Sequence, residues 1–262
     1  DDFKADQRIR SCDSIALWNK NKTKYSTGKI SDLNTDSDEM FPWISDGVLH
    51  FSSNSRFLLE KNGVTSNYKD PQIFNIFIYK NNSVALKKIT AKDSSSFTAY
   101  VPAYGKEVLL TKKIKVTPTG EELSPSEISV DKKTFIPSGA PQGYTFSHPC
   151  LAGNGKRMYF VSDMPGGFGG TDIYYSDFDG TSWSAAVNAG NNINTPGDEM
   201  FPYITAHDSL LYFSSDGHPG YGNMDIFVSR INRGKWSSPV NMKAPINSIG
   251  NDFSLVYKNY PW

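Results

Sequence analysis

The sequence predicts an all-β protein: a five-bladed β-propeller of four-stranded antiparallel blades, preceded by a short N-terminal helix. Three observations carry this. A segment of about 53 residues recurs along the 262-residue chain with its landmarks in register. Each copy lays out four short apolar runs separated by turn-forming residues. Aromatic residues make up 13% of the chain, and its 21 Gly and 15 Pro are spread along it rather than gathered in one linker. Aromatics fit a pleated, half-buried surface, and Gly and Pro punctuate turns.

The repeat is clearest in the last third. A shift of 53 residues carries Met158-Tyr-Phe-Val-Ser-Asp163 onto Leu211-Tyr-Phe-Ser-Ser-Asp216, and Thr171-Asp172-Ile173-Tyr174 onto Met224-Asp225-Ile226-Phe227. The same shift carries Trp183-Ser184 onto Trp236-Ser237, and Ile193-Asn194 onto Ile246-Asn247. Earlier copies are weaker. Asp38-Glu39-Met40-Phe41-Pro42 returns letter for letter as Asp198-Glu199-Met200-Phe201-Pro202, and His148-Pro149 lies one period before Phe201-Pro202. Phe97–Val101 followed by Glu107–Leu110 fills the slot of a degenerate copy, and Asn251-Asp252-Phe253 opens one more. First strands are thus expected near residues 41, 97, 148, 201 and 253. Four-stranded units repeated at this spacing are the signature of a propeller, which hides its sheet edges by radial repetition.

Within one copy, Phe201–Ile204 reads as the innermost strand and Ser209–Ser214 as the second. After a Gly-rich turn, Met224–Ser229 is the third and Lys235–Val240 the fourth. The first residues do not fit a blade. Phe3, Ala5, Ile9, Cys12, Ile15, Ala16 and Leu17 recur at a spacing of three to four, which predicts a helix with an apolar face. Thr23–Ile30 reads as an extended outer strand that completes the blade begun at Phe253 and so removes an open edge. The division expected is a helical segment over 1–21 and a propeller over 22–262, its last blade incomplete.

Lys and Arg number 27, as do Asp and Glu. This balance argues against a nucleic-acid partner, which needs basic charge along a face, and against a polybasic membrane-surface protein. No run approaches the ~18 apolar residues of a membrane-spanning helix, and the opening residues lack the apolar stretch of a secretory signal. The two cysteines, Cys12 and Cys150, exclude a disulfide framework; they read as separate thiols or as one bridge.

No catalytic set stands out. Asp172 and Asp225 follow Gly-rich turns at equivalent places, where an Asp accepts hydrogen bonds from turn amides; a calcium role would need more clustered oxygens. Asp38-Glu39 and Asp198-Glu199 are adjacent pairs, and neighbours on a strand point to opposite faces, so they read as turn and strand-start residues. The four histidines lack metal-ligand spacing, and neither a G-x-S-x-G elbow nor a phosphate loop occurs. No cofactor and no metal are expected. Trp183 and Trp236 are expected to be structural, covering seams between blades. Phe168 and Tyr221, in the Gly-rich turns, are the candidate partner contacts, with packing on a neighbouring blade as the alternative. Ser176–Trp183 comes close to the Asp-box hairpin of sialidase-type propellers, a structural turn.

The stretch Leu211–Ser229 and the Asp-Glu-Met-Phe-Pro start together resemble the WD-like repeat of TolB-type propellers, in the version found in OmpA-family cell-envelope proteins of Bacteroidetes. The resemblance implies a non-enzymatic protein-interaction scaffold, periplasmic and associated with the outer membrane, in an envelope or type IX secretion assembly. The partners it implies are envelope or secretion-system proteins, with peptidoglycan reached through domains absent from this chain. The alternative is a carbohydrate-binding or sialidase-like glycan-hydrolysing propeller, favoured by the Asp-box near-match and the aromatic content.

Overall fold

The computed structural model describes residues 2–20, 23–64, 74–87, 95–103, 106–117, 120–123, 127–152, 155–205 and 207–256. It is mostly β, with a short N-terminal helix and several four-stranded antiparallel sheets, consistent with a propeller-like fold. The helix, α1, spans Asp2–Trp18. The first sheet has the order β1-β2-β3-β4, from β1 (Glu39–Ser45), β2 (Val48–Ser53), β3 (Asn75–Lys80) and β4 (Ser83–Leu86). Between β2 and β3 the chain forms a short helix, α2 (Arg56–Lys61), where later copies have a Gly-rich turn. Ser55 caps it: its Oγ accepts from the amide of Leu58.

The second sheet contains β5 (Ser95–Ala103), β6 (Lys106–Thr117), β8 (Glu127–Val130) and β9 (Lys133–Thr134), with β7 (Gly120–Leu123) pairing β6 off the main path. The third runs β10-β11-β12-β13, from β10 (Phe146–Ala152), β11 (Arg157–Ser162), β12 (Asp172–Asp177) and β13 (Val187–Asn188). The fourth runs β14-β15-β16-β17, from β14 (Glu199–Ile204), β15 (Leu210–Ser215), β16 (Asp225–Asn232) and β17 (Lys235–Trp236), with β18 (Val240–Asn241) also on β16.

The chain divides into two compact units. One comprises Asp1–Gly28, Ile136–Tyr144 and Cys150–Leu255; the other comprises Lys29–Phe135, Thr145–Pro149 and Val256–Trp262. In the first, Met158, Phe160, Val161, Ile173, Leu211, Phe213 and Phe227 are buried on the central strands of their sheets. In the second, Leu33, Phe51, Leu58, Leu59, Phe77 and Val84 form one apolar cluster.

Two expectations fail in detail. Residues 23–30 form no strand; Thr23 is instead tied by its hydroxyl to the carbonyl of Ala244. Residues 252–255 likewise form no strand, so four sheets rather than five are seen among the described residues. The helix forms, but with a different face inward. Ile9 and Leu17 are 63% and 60% exposed, whereas Phe3, Gln7, Ser11, Ile15 and Trp18 are partly covered. The reason lies in what the helix meets. Gln7 donates to the carbonyls of Asp216 and His218, and Ser11 Oγ accepts from the amide of Gly220. A turn with unpaired backbone groups is matched by polar side chains, not by Ile and Leu.

Candidate functional site

The repeated letters have local physical causes. Asp225 Oδ2 accepts from the amide of Tyr221 and from Asn241 Nδ2, while Oδ1 accepts from the amide of Gly222. A Cβ on Gly220 would lie 2.6 Å from Asp225 Oδ2, so the turn can close on the carboxylate only with glycine there. One period earlier, Asp172 Oδ2 accepts from the amide of Phe168 and from Asn188 Nδ2. Burial pushes both carboxyls up from the ordinary carboxylate value. Asn194 and Asn247 act as strand mimics: each accepts from the amide and donates to the carbonyl of one Ile, 173 and 226 respectively.

A second lock fixes the start of the inner strands, and the sequence reading missed it. Glu199 is fully buried. Its carboxylate accepts from the Thr195 amide (2.7 Å), the Thr195 hydroxyl (2.7 Å) and the Ser215 hydroxyl (2.7 Å). Burial pushes its pKa up to about 7 despite these donors. Thr35, Glu39 and Ser53 repeat the arrangement in the other unit, and Ser248 with Asp252 repeats it in part. The signal available was a Thr or Ser four residues before the acid at all three places.

Just beyond two of the locks stands a bulged residue. The β1–β2 register breaks between Met40 and Trp43, and the β14–β15 register breaks between Met200 and Tyr203. The displaced residues are Phe41 and Phe201, each followed by Pro and each at positive φ, 52° and 53°. His148 and Ser254, at equivalent places, have φ of 48° and 66°. Positive φ in a bulky side chain is sterically costly. Here it turns the side chain out of the ladder. Two ring pairs result, one in each unit: Phe41 on His148 (centroids 5.2 Å apart) and Phe201 on Phe253 (5.0 Å). All four rings are partly exposed, Phe253 to 39%.

The remaining candidates fall as follows. Phe168 is 47% exposed. Tyr221 is half-buried, with Trp18 of α1 against its ring at 5.3 Å. Trp236 is buried and packs edge-on against Tyr159 of the preceding sheet, at 6.4 Å. Trp183 lies on Phe178 of its own hairpin, at 5.0 Å. In that hairpin Asp179 accepts from the amides of Thr181 and Ser182, which hold its pKa low. Cys12 and Cys150 are unbridged; Cys150 is buried and its thiol is pushed up to about 12.

No family model matches the sequence, and no curated protein does. Solved structures with a similar arrangement include a thermostable family-43 glycoside hydrolase (13% identity, TM-score 0.45, 81% of this chain and 74% of that one). An α-L-arabinofuranosidase of family GH93 from Fusarium graminearum is similar at 13% identity, with a TM-score of 0.44 over 80% and 68% of the two chains. A puromycin-hydrolyzing peptidase of Mycobacterium tuberculosis gives 11% identity and a TM-score of 0.43; this chain spans 39% of that one. These neighbours correct the resemblance to TolB-type propellers of OmpA-family envelope proteins. The expected scaffold role in a secretion assembly and the expectation that the chain is not an enzyme find no support among these neighbours, which are themselves hydrolases. The physical reason is visible in the locks above. The Gly-rich turn, the Asp-Ile strand and the Asp-Glu-Met-Phe-Pro start serve backbone hydrogen bonds that a repeat of this geometry needs, so they mark architecture rather than a family's function.

Proposed function

We propose that this chain is a five-bladed, glycan-directed β-propeller that engages saccharide through the aromatic residues of its bulged inner strands. The observation that carries the reading is the recurrence of positive φ at Phe41, His148, Phe201 and Ser254. Backbone strain of this kind costs about 1–3 kcal/mol per residue and concentrates at functional sites. The strained positions set up the ring pairs Phe41–His148 and Phe201–Phe253. Ring faces offer the apolar, electron-rich surface on which the C–H face of a sugar packs.

The fifth blade is supported by the start of the last period. The amide of Asp252 donates to the carbonyl of Met224 at 2.7 Å, as the amide of Glu199 does to Thr171 at 2.8 Å one period earlier. Ser254 keeps the positive φ of Phe201.

Affinity electrophoresis in gels containing arabinan, xylan or another neutral polysaccharide tests the function. Retardation by at least one polymer is expected, weakened about tenfold or more in a Phe201→Ala/Phe253→Ala variant. Reducing ends released in the same mixtures report whether hydrolysis follows binding. No retardation by any polymer, or retardation unchanged in the variant, overturns the reading.

A further inference from the structure

We propose that the cleft between α1 and the Gly-rich turn at 216–223 is a second ligand site, one that takes the carboxylate of an acidic sugar. It rests on the glycan reading above but uses different residues. The cleft has a volume of about 320 Å³, within the range of small-molecule sites.

Its helix wall carries Lys4 and Arg8, one turn apart. Like charges at this spacing repel by a few tenths of a kcal/mol, and an anion held between them removes that cost. Neither makes an ion pair among the described residues, whereas Arg10 on the same helix is paired with Asp6 at 2.6 Å. Arg8 offers the planar fork that suits a carboxylate.

The opposite wall includes Tyr221, its ring braced by Trp18, and Asp216, whose carbonyl accepts from Gln7 and whose Oδ1 is taken by the Asp198 amide at 2.7 Å. A ring wall facing paired cations fits a ligand that is part anion and part hydroxylated ring. A bare inorganic anion would meet the two cations and leave the Tyr221 ring unused. The width of the cleft is set in advance, because Gln7 donates to the carbonyls of Asp216 and His218, and Ser11 accepts from Gly220. A preformed site avoids the cost of ordering on binding.

The test is calorimetric titration of the full chain with galacturonate, galactose and inorganic phosphate, with intrinsic tryptophan fluorescence, compared between wild type and Trp18→Phe, as a second readout. Galacturonate is expected to bind and to perturb the fluorescence, with galactose at least tenfold weaker. Lys4→Gln and Arg8→Gln, both on the exposed wall, should each weaken galacturonate about tenfold, while Phe201→Ala/Phe253→Ala leaves it unchanged. Equal affinity for galactose, phosphate displacing galacturonate at equal concentration, or insensitivity to Arg8→Gln would overturn the site. Loss of galacturonate binding in the Phe201/Phe253 variant would also overturn it while leaving the aromatic platform standing. Loss of neutral-polymer retardation alone would sink the platform and not the cleft.

Discussion

At Asp225 both carboxylate oxygens are occupied, by two turn amides and one side-chain amide. Each donor left unpaired in a buried turn costs about 1–3 kcal/mol. Asp225→Ala removes every acceptor, whereas Asp225→Asn keeps one oxygen and its place. Thermal unfolding should therefore rank wild type above Asn and Asn above Ala; equal melting of the two variants would show that the acceptor oxygens do not matter. Glu199 carries a different prediction, because its folded pKa of about 7 lies above its ordinary value of 4.5. The folded state holds the proton more tightly, so the contribution is fully present below about pH 4.5. It is lost as pH rises toward about 7, with a slope of up to ~1.4 kcal/mol per pH unit between them. Chemical denaturation from pH 4 to 8 should show wild type losing stability across that window relative to Glu199→Gln. Parallel pH profiles would mean that the folded carboxyl titrates at its ordinary value.

Among the elements, the two outer tryptophans differ in how deeply they are buried, although the sequence treats them as equivalent. Trp236 is 8% exposed and crosses to Tyr159 of the neighbouring sheet, with its carbonyl held by Asn192 Nδ2 at 2.6 Å. Trp183 closes its own hairpin and is only half-buried. Truncating a packed aromatic costs about 3–5 kcal/mol, which in a domain of this size lowers Tm by on the order of 10 °C. Trp236→Ala should reach that range and Trp183→Ala less than half of it, read by differential scanning calorimetry. The helix shows the same limit of sequence reading. Its period of three to four was legible, but its inward face was not. An apolar stripe predicts burial only where the surface it meets is apolar, and at Gln7 and Ser11 α1 meets backbone carbonyls and an amide instead.

Across the whole molecule, the 53-residue period was legible because each of its landmarks answers to a fixed backbone demand. Asn194 and Asn247 pair with a strand, and Ser184 and Ser237 accept from the amides of Asp177 and Arg230. The copies around residues 41 and 97 were faint for the converse reason. One replaces the Gly-rich turn with α2, and the other adds β7 to its sheet. The aromatic pairs stayed hidden because a positive φ at Phe leaves no mark in the letters beyond the following Pro. The period also sets a test of the blade count. If 251–255 begin a fifth blade, the Asp252 amide, bonded to Met224, should be as protected from hydrogen exchange as the Glu199 amide bonded to Thr171. The two bonds occupy the same place in successive periods, so a shared opening event should set both rates. Ser248→Ala, which removes the hydroxyl bonded to Asp252, should then speed exchange at residue 252 and leave residue 199 unchanged. Exchange at Asp252 in the wild type at the rate of an unstructured amide would mean that the last period does not dock as a fifth blade.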